Sequence, residues 1–109
     1  VAARFLKKNR YRILARDFRC AAGQIDLIAL RRGVVVFVEV KTRTSATHVD
    51  KLPVHPSQQA RIVRAAQLFL ARGKLTNRAV RFDVIFIAWP PSQKPTVEHI
   101  EDAFVPGLH

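Results

Sequence analysis

An α/β fold, with a mixed central sheet flanked by helices, is what this sequence predicts. Three observations carry that reading. Two apolar runs, residues 25–30 and 34–40, flank Arg31-Arg32-Gly33 and read as a hairpin of strands. Residues 57–72 repeat apolar side chains at helical spacing. Residues 80–89 are apolar on both faces, as befits a central and parallel strand covered from both sides. Along the chain the order is helix, strand, two hairpin strands, helix, strand and a short last strand. That order gives one mixed sheet between helices.

Each element has its own signal. Residues 1–8 place Ala2, Phe5 and Leu6 on one side and Arg4, Lys7 and Lys8 elsewhere, an amphipathic helix stopped at Asn9. The chain has no Met and starts inside this helical pattern, so the natural N-terminus is expected upstream of Val1. Residues 10–19 alternate Tyr11, Ile13 and Ala15 with Arg12, Leu14 and Arg16. So much arginine suits an edge or half-exposed strand. Residues 20–23 turn the chain into the hairpin. Residues 44–55 are polar, with a Pro and no period, and read as a loop. It either touches substrate or merely connects. In residues 57–72, Ile62, Ala65, Ala66, Phe69 and Leu70 form the apolar stripe, Pro56 suits the first turn and Gly73 the stop. Gln58, Arg61, Arg64 and Arg72 fall on the polar side. This helix is the expected crossover between the 34–41 strand and the 80–89 strand. Asp83 interrupts the latter, either supporting a site or, the preferred reading, pairing with a nearby Arg. Pro90 and Pro91 end that strand. Residues 96–100 add a short edge strand, and 101–109 form a tail anchored by Phe104.

Composition narrows the function. The 109 residues suit one domain. Nineteen Lys and Arg against eight Asp and Glu leave a net charge of +11. Such an excess favours polyanions, nucleic acid first and anionic membrane second, or else simply aids solubility. The basic residues are scattered over several elements and must converge in space to hold phosphates. Cys20 stands alone, so there is neither a disulfide nor a Cys/His zinc cluster. His48, His55, His99 and His109 lack metal-ligand spacing and read as ordinary surface or loop residues. No signal peptide and no membrane-length apolar run is visible, which makes the cytoplasm the expected compartment. Neither Gly-x-Ser-x-Gly, nor a P-loop, nor a dinucleotide Gly-rich turn occurs.

Against that background, three charged residues inside the hairpin strands stand out: Asp26, Glu39 and Lys41. If Arg32-Gly33 is a two-residue loop, Arg31 faces Val34, Asp26 faces Glu39 and Gln24 faces Lys41. All four of Gln24, Asp26, Glu39 and Lys41 then share one face. Opposed carboxylates repel at roughly 5 Å. A bound cation would remove the conflict, and a hard ion such as Mg²⁺ takes carboxylate oxygens. The alternative is structural: Lys41 neutralises Glu39 or Asp26 in a salt bridge at a sheet edge.

An acid followed on the next strand by Glu-x-Lys is similar to the PD-(D/E)XK nuclease signature. The segments GQIDLIA, VFVEVKTR and RFDVIFI resemble the strongest blocks of the YraN-like family of small uncharacterised bacterial proteins, over nearly the whole chain. That resemblance implies a restriction-endonuclease-like α-β-β-β-α-β core and kinship with archaeal Holliday-junction resolvases. It implies Mg²⁺ or Mn²⁺ held by Asp26, Glu39 and the Val40 carbonyl. Lys41 would orient the attacking water, and the reaction would be phosphodiester hydrolysis. A family Glu upstream of the first helix's apolar residues would precede Val1. The family commonly has Glu where this chain has Gln24, so a second metal site would be weaker here. It also places a polar residue near the start of the long helix, with Gln58 and Gln59 as candidates, although both also read as solvated. Arg43, Arg61, Arg31, Arg32 and Gln58 are the candidate nucleic-acid contacts. The implied partner is DNA, branched by analogy, and a homodimer would follow from symmetric cutting. A non-catalytic nucleic-acid-binding module and a protein-interaction subunit are the competing readings.

Overall fold

The computed structural model describes residues 1–43 and 54–104. The expected loop over 44–55 falls largely outside the described residues, as does the tail beyond Phe104. The described elements are α1 (Ala2–Lys8), β1 (Arg12–Cys20), β2 (Gly23–Arg31), β3 (Val34–Arg43), α2 (Pro56–Arg72), β4 (Ala79–Ala88) and β5 (Thr96–Ile100). The five strands form one sheet in the order β1-β2-β3-β4-β5. The β3–β4 pair is parallel and the other pairs are antiparallel. The fold is therefore mixed α/β, a five-stranded sheet flanked by two helices, compatible with a restriction-endonuclease-like core.

The helices cover opposite faces because the strands alternate. Ile28, Val35, Phe37, Phe82 and Val84 pack with Ile62, Ala65 and Ala66 of α2. Leu27, Ala29, Val36, Val38 and Ile85 pack with Ala2 and Leu6 of α1. A run of edge-to-face and stacked rings crosses beneath α2, from Phe18 to Phe69, Phe37, Phe82 and Phe104, with centroids 5.3, 6.2, 5.4 and 5.0 Å apart in turn. It anchors the helix across the sheet and fixes Phe104 as expected. Fully burying one such aromatic or aliphatic side chain stabilises by about 1.5–3 kcal/mol. Ile62→Ala would cost about 2–5 kcal/mol and loosen α2 first.

Local chemistry sets the ends of the elements. In the β2–β3 turn both Arg32 (φ 51°) and Gly33 (φ 79°) are left-handed. That is the two-residue hairpin geometry whose twist matches the flanking strands. Helix α2 begins at His55, whose ring accepts a hydrogen bond from the Ser57 amide. Gly73 caps its C-terminus at φ −87°, and the left-handed conformation falls instead on Lys74 at φ 57°. The expectation for β1 needs correction. A register shift between Ile13 and Ala15 interrupts the alternation, so Ile13 packs with Tyr11 on the α1 side while Leu14 and Ala15 meet the α2 side. An inserted residue at an edge does this without breaking inner pairs.

Asp83 has the structural role preferred from the sequence. It is buried at 1% exposure. Arg81 grips it through Nε at 2.9 Å and Nη2 at 2.8 Å, His99 Nε2 lies 2.7 Å away and the Asp102 amide donates at 3.1 Å. Burial pushes this carboxyl up, but His99, Arg81 and the Asp102 amide together outweigh it and hold it below the ordinary range. His99 is thus not a surface or loop residue. It lies in β5, against the rings of Phe5 and Tyr11.

Candidate functional site

The site is made by two strands parting. β2 and β3 pair from Arg31↔Val34 to Leu27↔Val38, the register expected from an Arg32-Gly33 loop. The ladder stops there, one residue before Asp26 and Glu39. Beyond it β2 stays on β1, through Phe18↔Ile25 and Arg19↔Gln24, while β3 stays on β4 as far as Arg43↔Ala88. Gln24 therefore does not pair with Lys41. The Val40 amide, with no β2 residue paired to it, donates to Asp26 Oδ2 at 2.8 Å. A carboxylate fills the place of a backbone carbonyl and holds the gap open.

Asp26 and Glu39 meet in that gap. The Glu39 carboxyl lies within hydrogen-bond reach of Asp26 and is pushed up to about 8. Burial is the largest cause, followed by the hydrogen bond and the charge repulsion from Asp26. Lys41 and Gln58 pull the other way. Gln58, in the first turn of α2, donates through Nε2 to Glu39 Oε2. Gln59 points elsewhere, to the Val54 carbonyl at 2.7 Å. The structure separates the two glutamines that sequence reasoning left together. Among the described residues no ion pair joins Lys41 to Asp26 or Glu39, and the acids lie between interior strands. The salt bridge at a sheet edge is therefore not what this arrangement is.

Asp17 was not foreseen. It sits in β1 between Arg16↔Leu27 and Phe18↔Ile25, beside Asp26, with a left-handed backbone at φ 48°. The Gln24 amide lies 3.4 Å from Asp17 Oδ1 and 3.5 Å from Asp26 Oδ1, bridging the two acids at the long end of hydrogen bonding. The signal was present as an acid in an arginine-rich strand, but only the β1–β2 register reveals its neighbour. Among the described residues no group of three or more His, Cys, Asp or Glu converges as a ready metal site.

The cleft around the acids has a volume of about 440 Å³ and is lined also by Lys41, Arg43 and Arg61. Arg61 comes from the second turn of α2. Its Cβ lies 3.5 Å from where a side chain on Gly23 would begin, and Gly23 has φ +152°. That distance is ordinary contact, so the glycine is needed for its backbone angle at the mouth of the gap and not for room beside the helix. Arg31 and Arg32 stand at the opposite end of β2, roughly 15–20 Å from Asp26 at strand rise. Arg31 covers the Tyr11 ring at 5.2 Å. Of the candidate nucleic-acid contacts, the fold brings Arg43, Arg61 and Gln58 to the acids and keeps Arg31 and Arg32 away.

The class so defined is a mixed α/β protein whose parting central strands gather two acids and a lysine in a basic cleft. The chain belongs to the uncharacterised protein family UPF0102, whose model matches residues 1–87, the family approached above as YraN-like. It is similar to the UPF0102 protein of Geotalea daltonii, with 48% identity over 105 residues, 95% of this chain and 83% of the relative. The UPF0102 protein of Geobacter sulfurreducens is 43% identical over 95% of this chain and 82% of its own length. That of Clostridium perfringens is 41% identical over 95% and 87% respectively.

Proposed function

We propose that the protein is a divalent-metal-dependent nuclease of the PD-(D/E)XK kind, hydrolysing phosphodiester bonds in DNA. One observation carries this reading. Asp26 and Glu39 are held side by side in an open, basic cleft, and among the described residues no ion pair is made to either, Lys41 acting on Glu39 only through its charge. Folding alone gives no reason to bring them together.

The donor set fits a hard cation. Two carboxylates from Asp26 and Glu39, joined by the Val40 carbonyl, leave the remaining positions to water and substrate, as Mg²⁺ and Mn²⁺ sites of this kind do. Bound there, the cation would polarise the scissile phosphate and make the attacking water more acidic. Lys41, on the face of Glu39, would orient that water and stabilise charge developing on the phosphoryl oxygens. Arg43 and Arg61 would neutralise flanking phosphates. Gln58 would hold Glu39 in its rotamer. Gln24 keeps an amide oxygen where a carboxylate would favour a second ion, so a single-ion site is the proposed state.

Branched DNA, a cytoplasmic setting and a dimer that cuts two strands symmetrically complete the proposal by analogy of fold. The second reading, a nucleic-acid-binding module with a vestigial metal site, is favoured by Gln24 in place of an acid. Incubation with labelled four-way junction, duplex, single-stranded DNA and RNA, with Mg²⁺ or Mn²⁺, separates the two. Metal-dependent cleavage that disappears in Asp26→Asn and Lys41→Ala is the expected result. Salt-sensitive binding with no cleavage under any condition would leave only the binding module.

A further inference from the structure

We propose that Trp89 is a stacking platform for an unpaired base, which makes the preferred substrate a nucleic acid with unpaired nucleotides next to the scissile phosphate. The inference deepens the nuclease reading and rests on it for the position of the scissile phosphate.

A second cleft, about 500 Å³, adjoins the acid site and shares Asp26, Val40 and Thr42 with it. Trp89 and Arg16 line its other side. Trp89 directly follows β4, next to the β3 end at Arg43. Its backbone is fixed on both sides: the amide donates to the Arg43 carbonyl at 2.7 Å, and Pro90 is buried. The residue is nonetheless 44% exposed. A large aromatic held on a rigid backbone, outside the core and beside a basic cleft, is suited to receive a flat ligand face. Arg16 is exposed on the same cleft, which Asp17 and Asp26 also line, and the half-buried Arg43 lines the neighbouring one. An anionic strand carrying a free base matches this pairing of indole and guanidinium. From Glu39 to Arg43 is roughly 13 Å along β3, a span of a few nucleotides. In a continuous duplex the base faces are covered by their neighbours and the indole has nothing to stack on.

Trp89 is the single tryptophan of the chain, so its own fluorescence reports contact. The experiment uses the full chain without divalent ions, so that binding is read apart from cleavage. Oligo(dT) and oligo(U) are titrated beside a relaxed circular duplex at equal nucleotide concentration, with anionic phosphatidylglycerol vesicles as a further arm. Quenching by either single strand and none by the circular duplex is expected, and the two strands distinguish DNA from RNA. Anisotropy of a labelled strand should show Trp89→Ala weakening binding about tenfold and Trp89→Phe restoring most of it. Unchanged affinity in Trp89→Ala, equal quenching by the closed duplex, a response to vesicles alone, or no single-strand binding would each overturn the inference. Metal-dependent cleavage of duplex would stand through any of those results.

Discussion

Glu39 carries a proton that an ordinary glutamate would have lost. Its carboxyl moves from the usual 4.5 to about 8, by burial and then by Asp26. The folded protein therefore binds a proton more tightly than the unfolded chain across that interval. The resulting stability is complete below pH 4.5 and is lost as pH rises through about 8. Glu39→Gln keeps the hydrogen bond from Gln58 and has no charge to lose. Urea unfolding should show the variant gaining on the parent from pH 5 to pH 9, and a constant difference would refute the assignment. A cation at this pair must displace the proton. Calorimetry of Mn²⁺ binding at pH 7 in buffers of different ionisation heat should therefore report about one proton released. Asp83 has the opposite logic. Its carboxyl is depressed, so its contribution is present at neutral pH and lost in acid, below the ordinary 3.8. Asp83→Asn leaves a partly buried Arg81 with only the more exposed Glu101 as its ionic partner, and should cost about 1–3 kcal/mol by denaturant titration.

At the scale of elements, the divergence of β2 from β3 is what makes a site from a hairpin. The pairs from Leu27↔Val38 to Arg31↔Val34 hold the strands together, and the Asp26–Val40 bond keeps the open end from closing. Helix α2 supplies the rest, with Gln58 on Glu39 and Arg61 against Gly23. A side chain at Gly23 meets a backbone angle of +152° and the Arg61 Cβ together. Gly23→Val should lose about 1–3 kcal/mol through backbone strain and weaken metal binding, because Gly23 lines the acid cleft. The closed end behaves differently. Arg32 is left-handed at φ 51° and distant from the cleft. Arg32→Asn should raise stability by roughly 0.5–1 kcal/mol, because asparagine tolerates that conformation, and leave metal affinity unchanged. Comparing the melting temperatures and Mn²⁺ isotherms of both variants decides each expectation.

For the whole molecule, a charge of +11 matters only where the fold focuses it. Arg43, Arg61 and Lys41 meet at one cleft, whereas Arg31 and Arg32 face the other end of the sheet. The salt dependence of nucleic-acid binding should reflect this. Arg43→Ala and Arg61→Ala should each reduce the slope of log affinity against log salt by about 0.9, and Arg32→Ala should leave it intact. Equal effects at all three would mean a diffuse electrostatic surface instead of a site.

Much of this was legible in the chain. Period-two and period-3.6 patterns placed the helices and strands. The Arg-Arg-Gly turn set the hairpin register, and with it the shared face of Asp26 and Glu39, because side-chain direction follows strictly from position along a strand. That Asp83 pairs with a nearby Arg was legible too, and the structure names that partner as Arg81, two residues away on the same face. Contacts between elements distant in sequence were not. That Asp17 approaches Asp26, that Gln58 and not Gln59 reaches Glu39, that His99 closes on Asp83 and that Trp89 stands beside the acid cleft all depend on where separate strands and a helix come to rest. Local propensity fixes the direction of a side chain from its own backbone. Packing of the two apolar faces alone decides which other side chain it meets.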